Sequence, residues 1–212
     1  GIAGAFESAN QKLAQTTGKE VEREILRVDT SYVVDSLGNT DSTQIANIDT
    51  IYNQFNFNQG PLFDLLTINR GTYGPATMGI AERNKRNTID SLLAKPEIKR
   101  LFPRDVIFRW SKDPIRDLET NEATDLYELY ALKREGSSDE APLTGDKVTD
   151  ARANPDPQTN KVQVSLSMNG EGARIWGQMT TKAAQDNNRE IAIVLDDEVV
   201  SAPSVQNPIT NG

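Results

Sequence analysis

The chain has 212 residues, of which 36% are hydrophobic, which is enough for one or two domains with a modest core. Acidic residues outnumber basic ones by 31 to 23, and the net charge of −8 disfavours binding to nucleic-acid phosphates or anionic lipid headgroups. The absence of Cys and His excludes disulfides, zinc–thiolate sites and His-dependent triads, so we expect no catalytic residue, no cofactor and no metal site.

Apolar residues at helical spacing predict that residues 5–58 are mainly helical. The stripes consist of Phe6, Ala9 and Leu13; of Val21, Ile25 and Val28; and of Ile45, Ile48, Tyr52 and Phe55. A long polar helix is predicted over residues 78–93, followed by a short helix with Pro96 in its first turn. The sequence therefore predicts a mainly helical lobe or insertion over residues 1–104.

The pattern changes at residue 105, where alternating and β-branched residues predict strands over 106–110, 126–132 and 148–154. Residues 162–168 alternate as a half-buried strand. A helix is predicted over 170–186, with Trp176 and Met179 buried against the sheet.

Residues 191–195 are predicted as a buried strand that returns through a turn at Asp196-Asp197. Residues 105–212 are thus predicted to form a mainly antiparallel sheet covered by a helix, and the fold class of the chain is α+β. The apolar run at 191–195 is the longest in the sequence, far short of the ~20 residues that span a bilayer.

The last third of the chain carries six short motifs in a fixed order. They are Leu143-Thr144-Gly145, Asp150-Ala151, Glu171-Gly172-Ala173, Ile193-Val194-Leu195-Asp196, Ser201-Ala202-Pro203 and Pro208-Ile209-Thr210. Together they resemble the first periplasmic domain of the protein-export membrane protein SecD or of its fused form, SecDF. The resemblance covers about residues 142–212, whereas the first hundred residues show no family likeness.

This resemblance implies a subdomain of the ferredoxin-like, βαβ type found in resistance-nodulation-division transporters. It implies a segment on the periplasmic side of an inner-membrane protein, cut from its membrane spans at both ends. The expected partners are unfolded preprotein, the Sec channel and SecF or the SecF half of a fusion. The implied function is to bind the emerging polypeptide during export driven by the proton motive force. The residues that bind the polypeptide are unknown from sequence.

The motif residues are expected to be mostly structural. Gly172 and Ala173 allow the helix to approach the sheet closely, and Glu171 lies in the first turn, where a negative charge meets the positive end of the helix dipole. Asp196 tolerates the backbone of a tight turn, and Asp197 replaces the Gly that usual members of the family have there. The full set is Leu143, Thr144, Gly145, Asp150, Ala151, Glu171, Gly172, Ala173, Asp196, Ser201, Ala202 and Pro203.

Two other functions agree with the same composition. The first is a generic extracytoplasmic module that binds another envelope protein. The second is a hydrolase that uses two carboxylates, which requires both of them in one cleft and one of them with a raised pKa. A binding module requires an apolar groove or a free sheet edge instead.

Overall fold

The computed structural model describes residues 1–18, 25–34, 40–52, 59–134, 141–155 and 162–210. In chain order, the elements are α1 (Ile2–Thr17), β1 (Ile25–Val34), β2 (Thr40–Tyr52), β3 (Thr67–Ile68), β4 (Thr77–Glu82), α2 (Arg86–Leu93), α3 (Pro96–Lys99), β5 (Val106–Trp110), β6 (Leu126–Lys133), β7 (Val148–Pro155), β8 (Val162–Met168), α4 (Gly170–Gln185), β9 (Ile193–Leu195) and β10 (Glu198–Ser201). Helices and antiparallel sheets occur together, which confirms the predicted α+β class.

The chain divides into two compact units. The first unit consists of Gly1–Thr67 and Asn84–Phe102, and the second consists of Ile68–Arg83 and Pro103–Gly212. The predicted division of the chain into lobes at residue 104 stays a prediction, as does the ferredoxin-like arrangement.

In the first unit, α1 buries the apolar stripe that its sequence predicts. Phe6 and Leu13 are each 1% exposed, and the ring of Phe6 meets that of Phe102 edge-on, with 5.0 Å between the centroids. The helix ends at Gly18, whose φ of 68° is a left-handed conformation that glycine adopts without strain. Helical spacing of apolar residues therefore predicted this element correctly.

A buried amide joins α1 to the turn that begins at Gly60. Asn10 is fully buried, its Nδ2 donates to the Gln59 carbonyl at 2.9 Å, and its Oδ1 accepts from the Leu62 N–H at 3.0 Å. A Cβ on Gly60 would lie 2.6 Å from the Asn10 side chain, and the φ of Gly60 is 133°. Both the contact and the backbone conformation therefore require glycine at this position.

The helices predicted over the stripes at Val21–Val28 and Ile45–Phe55 are wrong wherever the structure describes them. Residues 25–34 and 40–52 form β1 and β2, an antiparallel pair in which Ile25 lies opposite Tyr52 and Val34 opposite Thr40. The β1 sequence is ILRVDTSYVV, in which half of the residues are β-branched, a composition that favours extended backbone. Residues 21–24 and 53–58 lie outside the described part of the chain.

The helix predicted over residues 78–93 is also partly wrong. Its first part is β4, in which Thr77, Gly79 and Ala81 are buried and alternate with less buried residues. That period of two fits a strand paired with β6, and helix begins only at α2. The short helix with Pro96 in its first turn is confirmed as α3.

A four-stranded sheet with the order β3-β4-β6-β5 forms the centre of the second unit. Strand β6 lies antiparallel to both β4 and β5. The core side chains of this sheet are Tyr127 and Leu129 on β6 and Trp110 on β5, each at most 5% exposed. The predicted strands at residues 106–110 and 126–132 are confirmed.

Three further elements of the second unit have the predicted type. The pair β7–β8, the helix α4 and the hairpin β9–β10 lie where the sequence places them. Helix α4 begins after Asn169, whose side chain accepts from the Gly172 N–H at 2.9 Å as an N-cap.

The burial predicted for these elements is largely wrong. Val164 and Leu166 are 65% and 36% exposed, Trp176 and Met179 are half-buried, and β9 is exposed along its whole length. The reason is topological: in the described residues β7–β8 and β9–β10 are separate two-stranded sheets and not one larger sheet, so α4 has no broad sheet face to cover. The residues that α4 buries are Gly172, Thr180 and Ala183.

Candidate functional site

The first and third sequence motifs meet at the start of α4. Residues Gly145–Lys147 form a 3-10 turn, and the Asn169 N–H donates to the Lys147 carbonyl at 2.9 Å. A Cβ on Gly172 would lie 2.9 Å from the Lys147 Cβ and 3.2 Å from the Lys147 carbonyl oxygen. The same Cβ would lie 3.1 Å from the Cβ of Met168, so Gly172 lies where α4 closely approaches both this turn and the end of strand β8.

Charges of both signs surround the same contact. Lys147 Nζ lies 2.8 Å from Glu171 Oε2 and 3.2 Å from Asp146 Oδ2. Hydrogen bonds to Glu171 and then Asp146 raise the pKa of Lys147. The pKa of Asp146 is lowered, chiefly by the hydroxyl of Thr144 and then by Lys147. All of these groups are at least partly exposed, so they orient the turn and add little stability.

The Asp150-Ala151 motif lies apart from that cluster. Asp150 and Ala151 lie on β7, where Ala151 is paired with Leu166 and the Asp150 carboxylate lies 2.6 Å from Arg152 Nε. Arg152 is largely exposed, so this pair is a surface ion pair.

The fourth and fifth motifs form one hairpin. Asp196 and Asp197 have φ angles of 51° and 65°, which gives the tight turn between β9 and β10 that the sequence predicts. Ser201 lies opposite Ile193, and the Ile191 N–H donates to the Pro203 carbonyl at 3.1 Å. Asp197 lies 3.0 Å from Arg109 Nη2, so this carboxylate takes part in an ion pair with β5.

The sixth motif runs along α4. The Thr180 hydroxyl is fully buried and accepts from the Ile209 N–H at 3.0 Å. A Cβ at Gly177 would lie 3.6 Å from the Ile209 carbonyl oxygen, an ordinary van der Waals distance, so the segment packs directly on this part of the helix. The chain from Pro208 to Thr210 is therefore fixed against the helix.

Sequence reasoning missed the partners in these contacts. Lys147 and Arg109 belong to no motif, and only their ion pairs in the fold reveal their roles. Thr180 was predicted to lie on the inner face of α4, but its bond to Ile209 joins residues 29 positions apart. Local periodicity carries no signal for such a contact.

The exposed apolar side chains of the second unit concentrate on the hairpin β9–β10. Ile193, Val194 and Leu195 are 39%, 43% and 52% exposed, and Val200 is 45% exposed. Val199, between them, is only 2% exposed and faces Ser111 of the central sheet. Val199 is thus the buried apolar residue of the hairpin, whereas Ile193, Val194, Leu195 and Val200 are exposed.

A cleft of about 310 Å³ lies beside this hairpin, with Glu128 and Tyr130 in its wall. The Glu128 carboxylate accepts from the Thr77 hydroxyl at 3.0 Å and from the Tyr130 hydroxyl at 2.9 Å. Burial, and then the charge of Glu128, raise the pKa of Tyr130 to about 12. This network therefore keeps Tyr130 protonated to a higher pH than an ordinary tyrosine and keeps Glu128 hydrogen-bonded within the fold.

Two other observations bear on catalysis and on metals. The pKa of Asp117 is lowered by the Thr120 and Glu119 N–H groups, which is the opposite direction from that of a general acid. In the part of the chain that the structure describes, no three carboxylates converge as metal ligands.

Comparison with known proteins identifies the family. The family model described as "SecDF, P1 head subdomain" matches residues 121–212. The protein translocase subunit SecD of Rhodothermus marinus is 33% identical over 152 residues, or 72% of this chain and 23% of that protein. The chain is thus similar to SecD and SecDF, and residues 121–212 correspond to the SecDF P1 head subdomain. The motif-based identification is therefore confirmed.

Two further relatives match shorter stretches. The protein translocase subunit SecD of Desulfurispirillum indicum is 44% identical over 70 residues, which are 33% of this chain and 13% of that protein. The protein translocase subunit SecDF of Brucella abortus is 37% identical over 67 residues, 32% of this chain and 8% of that protein. Each relative is thus a much longer protein, of which the SecD-like chain corresponds to a minor part. No solved structure matches the chain significantly.

The likeness to SecD extends further toward the N-terminus than the motifs indicate. The family match begins at residue 121, upstream of residue 142, where the motif resemblance starts. The Rhodothermus match covers 152 residues, which cannot fit after residue 104 in a chain of 212. Part of the first hundred residues is therefore shared with a SecD. Among the described residues, no helix has the length and apolar character needed to cross a membrane.

Proposed function

We propose that this chain is the extracytoplasmic part of a SecD-type subunit and assists protein export by holding unfolded polypeptide. The parent protein lies in the inner membrane with this segment on the periplasmic side. It works beside the Sec channel and SecF, or the SecF half of a fusion, and proton flow through the membrane part drives its movement. The segment itself is not an enzyme and uses no cofactor.

The observation that carries this proposal is the family match over residues 121–212. The names of the relatives, protein translocase subunits SecD and SecDF, supply the process. The motif residues support a scaffold role, because Gly172, Glu171 and Asp196 serve turns, helix starts and ion pairs. We therefore look for polypeptide binding at residues other than these three, and the exposed apolar side chains of the hairpin β9–β10 are the best candidates.

The hydrolase alternative has less support. It needs a carboxylic acid whose pKa is raised, and the shifts resolved at Asp117 and Asp146 are both downward. Glu128, in the wall of the cleft beside the hairpin, accepts hydrogen bonds from Thr77 and Tyr130. These carboxylates are placed to stabilise structure rather than to transfer protons.

Binding of unfolded polypeptide can be measured directly. A reduced, unfolded secretory precursor is titrated into the isotope-labelled chain and followed by NMR, with the same precursor in its folded form as control. We expect shifts with the unfolded form alone and a weak dissociation constant, micromolar or higher, because a surface that must release every client gains little energy from any one. Equal absence of binding to both forms would reject client holding.

The role in export requires a separate experiment in the membrane-bound parent. Deletion of residues 142–212 should slow export of a reporter precursor, whereas a parent with only Gly170→Ala should export normally, since a Cβ at Gly170 meets no atom within 4 Å. Unchanged export after the deletion would defeat the assignment to translocation.

A further inference from the structure

The hairpin β9–β10 leaves one edge of strand β9 open to solvent. Within the described residues, β9 pairs with β10 alone. Leu195 lies opposite Glu198 across the two-residue turn, and the Ile191 N–H donates to Pro203. Because main-chain groups alternate in direction along a strand, the N–H and C=O of Val194 point away from β10.

The other side of the hairpin is already occupied. The carbonyl of Val199 accepts from the Lys112 N–H at 2.9 Å, and Val199 bridges to Ser111 in parallel orientation. This contact fixes β10 to the central sheet and leaves β9 as the outer strand. The open edge is thus held on a rigid support rather than at the end of a loose loop.

The side chains along this edge are apolar on both faces. Ile193 and Leu195 alternate with Val194, and the three are 39% to 52% exposed. An added strand would therefore make main-chain hydrogen bonds at Val194 and apolar contacts on both faces of β9. Main-chain bonding accepts many sequences, which suits a segment that must hold unrelated unfolded chains.

Charge selects among the possible occupants of this edge. The turn at the end of β9 carries Asp196 and Asp197, of which Asp197 is paired with Arg109, and the chain as a whole carries −8. A second copy of the chain would bring the same charges together and is disfavoured. An extended apolar segment with Lys or Arg at one end can place that positive charge beside the turn.

We infer that the open edge of β9 binds an extended, apolar polypeptide segment with a basic flank by adding it as a strand at Val194. This inference rests on the proposed function and adds the site and the binding mode. The polypeptide lies along residues 192–195, and its basic flank lies beside Asp196.

The test uses the 212-residue chain and a synthetic peptide of two Lys followed by alternating Thr and Val. NMR titration should shift the β9 amides, and the Val194 amide should exchange with solvent more slowly when the peptide is bound. A peptide with N-methyl groups on alternate residues should bind about tenfold more weakly or not at all, because it lacks the main-chain donors while the protein is unchanged. Equal affinity of the two peptides overturns the inference.

Protein variants test the same edge from the other side. Val194→Pro removes the outward N–H at a position that an edge strand tolerates, and should weaken binding at least about tenfold. The control, Val194→Thr, keeps the main chain and the β-branched shape and should weaken binding less than threefold. Should Val194→Pro fail to fold, the N-methylated peptide still decides the question.

Charge preference and the rival occupants complete the test. Replacing the two Lys of the peptide by Glu should weaken binding several-fold, and Asp196→Asn should reduce that difference, since Asn also accepts the left-handed turn.

Other occupants of the edge would give different results. If the free chain dimerises and Val194→Pro abolishes the dimer, the edge binds a second copy. If the Val194 amide is already protected from exchange in the free chain, the edge is covered by the chain itself. If the unfolded precursor binds but Val194→Pro leaves its affinity unchanged, this inference fails while the proposed function stands.

Discussion

The atoms next to Gly172 leave no room for a larger side chain. A methyl group there would meet the Cβ and the carbonyl oxygen of Lys147 at 2.9 and 3.2 Å. We expect Gly172→Ala to destabilise the fold by about 1–3 kcal/mol, because neither backbone segment can retreat without breaking the Asn169–Lys147 hydrogen bond. Urea unfolding monitored by Trp fluorescence measures the change.

The matched control for Gly172 is Gly170, the first residue of the same helix. A Cβ at Gly170 has no neighbour within 4 Å, so Gly170→Ala should be neutral or slightly stabilising, since Ala favours helix by up to about 1 kcal/mol. Equal destabilisation by the two substitutions would show that the contact with Lys147 does not govern the effect at Gly172.

A second residue-scale property is the titration of Tyr130. Burial and the nearby charge of Glu128 raise its pKa to about 12, against about 10 in an unfolded chain. Since the folded state holds the proton more tightly, the resulting stability is complete below pH ~10 and is lost as pH rises toward 12. An absorbance titration of phenolate should therefore contain one late component.

Tyr130→Phe identifies that component. The variant should lose the late phenolate step and should also show a smaller fall in the free energy of unfolding above pH ~10, because no phenol remains to ionise at that position. A late step that persists in the variant would assign it to another tyrosine.

At the scale of elements, the contact between α4 and the segment Pro208–Thr210 depends on one hydroxyl. Thr180→Val keeps the shape of the side chain but removes the acceptor of the Ile209 N–H. We expect a loss of about 1–2 kcal/mol and faster hydrogen exchange at Ile209. Hydrogen exchange followed by NMR measures both the exchange rate of the Ile209 amide and the free energy of global unfolding.

Thr181 provides the comparison within the same helix. Its hydroxyl donates only to the Gly177 carbonyl of α4, at 2.7 Å. Thr181→Val should leave Ile209 exchange unchanged and alter the stability by no more than about 0.5 kcal/mol. If both substitutions accelerated exchange at Ile209, the helix as a whole, and not the Thr180 hydroxyl, would hold the segment.

At the scale of the whole molecule, the composition predicts that added metal ions do not change the stability of the fold. The sequence has no His or Cys, and its described carboxylates do not converge in threes. Zinc, manganese or calcium should leave the melting temperature unchanged, since a site filled well above its dissociation constant would add a few kcal/mol. Thermal unfolding with each ion measures this, and an upward shift that Asp196→Asn abolishes would contradict it.

The sequence by itself determined the family and the elements whose causes are local. The order of six motifs sufficed for the family, and α1 and α4 follow from helical spacing of apolar residues and, for α4, from an N-cap. The tight turn at Asp196-Asp197 was also predictable, because its two positive φ angles suit residues such as Asp. Each of these signals lies within a few neighbouring residues.

The tertiary structure alone decided which strands pair and which apolar residues are covered. The spacing of Ile25 and Val28 fits a helix as well as a strand, and only pairing with residues 40–52 selects the strand. The apolar run Ile193-Val194-Leu195 does not encode what packs against it. The sequence predicted that this run is buried, whereas the structure shows its side chains exposed. Pairing and exposure depend on residues distant in sequence, and a local pattern holds no information about them.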